Sequence, residues 1–267
     1  PRRFIVAVLT AVPAETEPAI RDRLLLFVAE AISSFLPGSL RTDVHDQVLA
    51  TTIRLSRETE DADAWRSYTR AFIAEFAARG GDEYEATVRG FAASDNPDIA
   101  WRARRALAAR GLVDAGAVEA WRSADGSGEA ARMSVEALAS LPIEEARSHA
   151  WDSVYSETLS NDFLTATLAG LQASSWDGET GIEAAVDRLR SYWESHTIGM
   201  ALRYANGVLA YGLDIDRDGS VERSVGLLRS WLDTNDDAPA QLRRIVIEHL
   251  DAFERDERVQ RRWKQDQ

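Results

Sequence analysis

A chain of 267 residues, 45% hydrophobic and 28% charged, has the composition of a folded globular protein and the length for one continuous core of layered helices, which excludes the disordered and fibrous classes. Its 44 acidic residues against 31 basic ones give a formal charge of −13, which repels the phosphate backbone of nucleic acid and the anionic face of a bilayer, so neither is an expected partner. The absence of cysteine removes disulfides, thiolate metal sites and a cysteine nucleophile.

The chain opens on Pro1, and the apolar pattern of Phe4, Ile5, Val8 and Leu9 begins at once, as in a segment excised from a longer polypeptide. This stretch is too short for a signal peptide, and no run approaches the ~18 apolar residues that cross a bilayer, so a cytoplasmic location is expected. Trp65, Thr69, Phe72, Ile73 and Phe76 then recur at helical spacing and stop at Gly80–Gly81. Asn96, Pro97 and Asp98 form a helix start, with a capping oxygen, a proline at the first helical position and a carboxylate on the positive end of the dipole. Ile99, Ala103, Ala106 and Leu107 follow at the same period, and Gly111 ends it. Pro142 with Glu144 and Glu145, and Asp237 before Pro239, repeat the start signal.

Between residues 197 and 211 the stripe Ile198, Leu202, Ala205 and Leu209 is expected in the core, with His196, Met200, Arg203, Gly207 and Ala210 opposite and Gly212 as the stop. Leu242, Ile245, Val246, His249, Leu250 and Phe253 extend the helical period towards the end. Starts and stops number about fourteen helices. The loosest stretches are Asp125–Gly128, Ser174–Gly181 and Asp214–Gly219, none long enough for an interdomain linker. No run alternates with period two, and tryptophans at 65, 101, 121, 151, 193 and 231 recur every one or two helices. The fold class expected is therefore all-α, with antiparallel helix pairs stacked into one α-solenoid or superhelical bowl over residues 1–267, similar in principle to HEAT or armadillo stacks.

Chemistry is sparse. A helical zinc peptidase needs two histidines at i and i+4 so that both imidazoles share a face, and His45, His149, His196 and His249 supply no such pair. His249 and His149 read as satisfied core histidines. Gly126–Ser127–Gly128 is a bare turn and not a nucleophile elbow, and Asp236–Asp237 is a helix start and not a magnesium-binding run. Asp214, Asp216, Asp218 and Gly219 occupy positions 1, 3, 5 and 6 of an EF-hand loop, with Glu222 at position 9. Position 12, where a bidentate carboxylate completes the shell, is Val225, so an acidic interhelical turn is expected in preference to a calcium site.

Several strings taken in order resemble the C-terminal helical region of bacterial zinc metallopeptidases of the aminopeptidase N family. They are Ala64–Trp65–Arg66 leading to Ala71–Phe72, Asp98–Ile99–Ala100–Trp101–Arg102 before Leu107–Ala108–Ala109–Arg110–Gly111, and Ala137–Leu138–Ala139–Ser140–Leu141–Pro142. Ala150–Trp151, Leu159–Ser160–Asn161 with Gly170–Leu171, Tyr192–Trp193–Glu194 and Ala201–Leu202–Arg203 follow. The departure is Gly199, where similar sequences tend to carry a glutamate.

The resemblance implies an accessory domain that closes over the active site of a zinc aminopeptidase and limits access to the amino ends of peptides. The HExxH helix, the zinc and the GxMEN loop then belong to a catalytic domain absent from this sequence. That domain of the same polypeptide and peptide substrates are the implied partners, and no cofactor or catalytic residue is expected in this chain. Two readings of the face opposite the 197–211 core stripe stand: Gly207 and Ala210 pack against the next helical layer, or the face lines the substrate cavity, with Arg203 and His196 as its candidates and the Arg203 guanidinium able to grip a peptide carboxylate bidentately. The alternative class is a free-standing solenoid scaffold that binds another protein on its concave face.

Overall fold

The computed structural model describes residues 1–156, 159–173 and 182–265, so the loose stretch read at Ser174–Gly181 lies outside the described residues. Among these residues the regular elements are fifteen α-helices, two 3₁₀ turns and one π turn, with no strand. The all-α expectation therefore holds. None of the described helices is long and apolar enough to cross a membrane. The chain folds as two compact units, each with its own packing.

The first unit holds Pro1–Leu107, Asp214–Arg217 and Glu257–Gln267. It begins with α1 (Arg2–Ala11), α2 (Pro18–Phe35), α3 (Arg41–Glu58) and α4 (Ala62–Arg79). Ile5, Val8 and Leu9 lie at i, i+3 and i+4 on α1 and meet Val28 and Ile32 of α2 and Val44 and Val48 of α3 in one buried cluster. Each such side chain contributes about 1.5–3 kcal/mol on full burial. α4 starts where the Asp61 carboxylate accepts from the amides of Asp63 and Ala64, and it ends at Gly80 and Gly81, whose φ of 81° and 127° suit glycine. α5 (Asp82–Ala92) is held to α4 by edge-to-face rings, Phe72 on Tyr84 at 5.4 Å and on Phe91 at 6.2 Å. α6 (Pro97–Ala109) begins at the proline read from the sequence, with Asn96 accepting from the Ile99 amide at 3.3 Å.

The second unit holds Ala108–Leu213 and Asp218–Asp256. It runs through α7 (Ala115–Ala124), α8 (Gly128–Ala139), α9 (Glu144–Val154), α10 (Asn161–Ala173), α11 (Ile182–Asp187), α12 (Leu189–Ser195), α13 (Ile198–Val208), α14 (Leu227–Thr234) and the first part of α15 (Ala240–Gln265). α10 packs against α8, α9 and α13. Two glycines permit this. A Cβ on Gly170 would lie 2.3 Å from the Glu136 carbonyl oxygen of α8, and one on Gly207 would lie 2.6 Å from Leu168 Cδ1 of α10.

α13 departs from expectation in two ways. Its buried positions are Met200, Ala201, Tyr204, Ala205 and Val208, whereas Ile198, placed in the core stripe, is 55% exposed. Tyr204 turns the helix, because its ring stacks on Tyr192 of α12 with centroids 3.9 Å apart. The helix also ends before Gly212. The Gln172 amide takes the Gly207 carbonyl at 3.0 Å, the acceptor that a further turn needs, and Leu209 turns into the core.

Candidate functional site

α10 and α13 flank an open surface cavity of 580 Å³ lined by Thr165, Leu168, Gln172, Arg203, Asn206 and Gly207 among others. Its shape follows from the small residues at the crossing, because Gly207 brings the helices together at Leu168 and leaves space on either side. Arg203 stands at the exposed edge. One guanidinium N–H donates to the Gly199 carbonyl at 3.1 Å, and no carboxylate pairs with it among the described residues. Gly199 explains why. A Cβ there would lie 3.6 Å from Arg203 Nη1, so a glutamate at this position, one turn earlier on the helix, would neutralise the guanidinium. With glycine no such pair forms, and Arg203 is among the residues that line the cavity.

His196 does not reach this cavity's lining. Its ring lies on Tyr192, with centroids 3.7 Å apart and planes 2° apart, and its Nδ1 is 3.1 Å from the Tyr192 carbonyl oxygen. Tyr192 is thus sandwiched between His196 and Tyr204, whose hydroxyl donates to the Ala185 carbonyl at 2.8 Å. Burial pushes the Tyr192 phenol up to about 12 and raises that of Tyr204 as well, so both stay protonated at neutral pH.

The other histidines are dispersed. His45 on α3 pairs with the buried Glu75 of α4, a contact with no local signature in the sequence. His249 is half-buried on α15, where desolvation lowers its pKa. His149 is exposed on α9, which corrects the core reading: the buried face of that helix is Arg147, Ala150 and Val154. Among the described residues no group of three His, Cys, Asp or Glu side chains is placed to hold a metal ion.

The acidic turn is divided between the two units. In the first, Asp214 accepts from the Gly38 amide at 2.8 Å and faces Arg41 at 3.6 Å, while Asp216 accepts from the Ser39 amide at 2.9 Å and from Lys264. In the second, Asp218 and Glu222 are exposed, and Val225 is buried. Burial alone would raise the Asp216 carboxyl, but the hydrogen bonds from Lys264 and Ser39 outweigh it and hold the pKa at about 2, below the usual 3.8. Its stabilising effect is therefore complete above pH 3.8 and fades as pH falls towards about 2. Asp216→Ala is expected to cost about 1–2 kcal/mol at neutral pH. The wild-type and variant melting temperatures should converge across that acid interval. A gap that persists at its lower end would contradict this account.

No family model matches the chain. It is 25% identical, over 274 aligned residues, to aminopeptidase N from Streptomyces lividans. The alignment takes in 97% of this chain and 30% of the relative, so the chain spans under a third of the length of the curated protein it matches. Over nearly its whole length, then, this helical chain is similar to one segment of an aminopeptidase N.

Proposed function

We propose that this chain is the accessory C-terminal helical region of a zinc aminopeptidase of the aminopeptidase N kind, covering the active site and controlling which peptide amino ends reach it. The observation that carries the reading is the likeness along 97% of the chain to less than a third of an aminopeptidase N. In this reading the zinc, its ligands and the nucleophilic water belong to the rest of a cytoplasmic polypeptide, and this chain supplies walls and surface charge. Helix packing supports a solenoid arrangement, since α7 lies on α8, α8 on α9 and α9 on α10, as successive pairs in a stack do. Exposed apolar residues early in the chain, Phe4 and Val6 at 45% each on α1 and Leu26 at 55% on α2, favour the accessory-region reading over the free-standing scaffold. A free-standing scaffold would carry polar capping helices there.

The wall reading assigns Arg203 to the far end of bound peptides. In the full-length enzyme Arg203→Ala should lower kcat/KM for peptides of several residues by about fivefold, the worth of roughly 1 kcal/mol from a solvent-exposed charged contact. A single-residue anilide, too short to reach the wall, should be cleaved unchanged. Gly199→Glu should reproduce the effect by pairing Arg203 in place. Equal losses on both substrates, or none on either, would return Arg203 to an ordinary surface role. The segment reading itself is tested by the reading frame upstream of residue 1, which should encode an HExxH helix.

A further inference from the structure

A second cavity in the same unit, 590 Å³ in volume, lies among α7, α8, α9 and α10. It falls within the ~300–1,000 Å³ range of small-ligand and side-chain pockets. Its apolar surface comes from Val135 and Leu138 of α8, Leu141 of the following turn and Phe163 of α10. One wall is different in kind. Glu145, His149 and Ser153 fall at i, i+4 and i+8 on α9 and therefore share a face, and all three line the cavity. Glu119 of α7 lines it as well. Glu119 is partly neutralised by Arg122 at 3.7 Å, whereas Glu145 is exposed and has no side-chain partner among the described residues. No lysine or arginine lines the cavity. Glu145 faces the positive end of the α9 dipole but pairs with no cationic side chain, so the apolar space beside it selects by shape and by charge together: apolar bulk enters, an adjacent cation is favoured and an adjacent anion is repelled.

We propose that this groove binds a peptide segment in which a bulky apolar side chain sits beside a basic one. The apolar side chain enters between α8 and α10, and the cation meets Glu145. The inference needs no catalytic domain, so it stands apart from the aminopeptidase reading and is tested on this chain alone.

The test titrates the 267-residue chain with three acetylated, amidated tripeptides, Leu-Phe-Lys, Leu-Phe-norleucine and Leu-Phe-Glu, followed by chemical shifts of labelled protein up to millimolar peptide. Affinity should fall in that order, by about three- to fivefold per step, the range for a solvent-exposed charge contact. Shift changes should centre on Leu138, His149 and Phe163. Glu145→Gln should erase the gap between the lysine and norleucine peptides and leave the norleucine affinity unchanged. Ala115→Phe, at an exposed position lining the groove, should abolish binding of all three while circular dichroism stays helical. Equal affinities for the lysine and glutamate peptides, unchanged binding to a folded Ala115→Phe chain, or no shifts with any peptide would each overturn the proposal.

Discussion

Trp101→Ala should cost about 3–5 kcal/mol, the range for removing a large aromatic from a packed core. Trp101 is 1% exposed at the centre of α6, and it heads the largest fully buried side chains. Replacing it leaves an indole-sized void that the surrounding helices fill only in part. It also unseats Arg104, whose guanidinium lies 4.9 Å from the ring centroid while its Nε donates to the Ala92 carbonyl at 3.0 Å, joining α6 to the end of α5. For a chain of this size the melting temperature should drop by about 10 °C. Arg104→Met, which removes the cation and keeps most of the aliphatic stem, should cost only about 1 kcal/mol and so separates the two contributions. A Trp101→Ala protein less than about 1 kcal/mol below wild type would mean that α6 is not packed as described.

Gly170→Ala should be the most damaging single-methyl change in the second unit. The new Cβ would stand 2.3 Å from the Glu136 carbonyl oxygen and 2.7 Å from the Ala139 Cβ, so the obstacle is the α8 backbone and its first side-chain atom, which no rotamer change can clear. The helices must separate, at about 2–3 kcal/mol for overpacking, offset by roughly 1 kcal/mol from the better helix propensity of alanine. The net loss is about 2 kcal/mol, and the α10 lining of both cavities shifts with it. Gly90→Ala is the matched control. That glycine is exposed on α5 with nothing within 4 Å of its would-be Cβ, so the same substitution should stabilise by about 0.5–1 kcal/mol. Denaturant midpoints with unchanged slope measure both. Two changes of the same sign would refute the close-approach argument for Gly170.

The sequence by itself determined the helical class and many helix boundaries, because these are written in short-range chemistry. Asn96 with Pro97 starts α6 where the pattern says, and Gly80–Gly81 end α4 in the positive-φ conformation that glycine tolerates. A capping oxygen two or three residues from the amide it serves needs no distant partner. The candidate sites were less legible, since each depends on contacts between residues far apart in the chain. Helical spacing showed that α13 has an inward face, but the Tyr204–Tyr192 stack rotates that face to bury Met200 and expose Ile198. His149 looked like a core residue because Trp151 stands close by in sequence, yet the packing of α9 buries Arg147, Ala150 and Val154 and leaves the imidazole on the groove wall.

The Asp214–Gly219 turn is the clearest division. Its charge and spacing are local and resemble half of a cation loop. The donors that occupy Asp214 and Asp216 lie on Gly38, Ser39 and Lys264, remote in the chain and adjacent only after folding. The same holds for the buried His45–Glu75 pair and for Gly199, whose missing side chain matters only because Arg203 then lines the cavity without a carboxylate. Periodicity and capping follow from neighbours along the helix. Which face turns inward, and which charge is left without a partner, are set by long-range packing that only the tertiary structure decided.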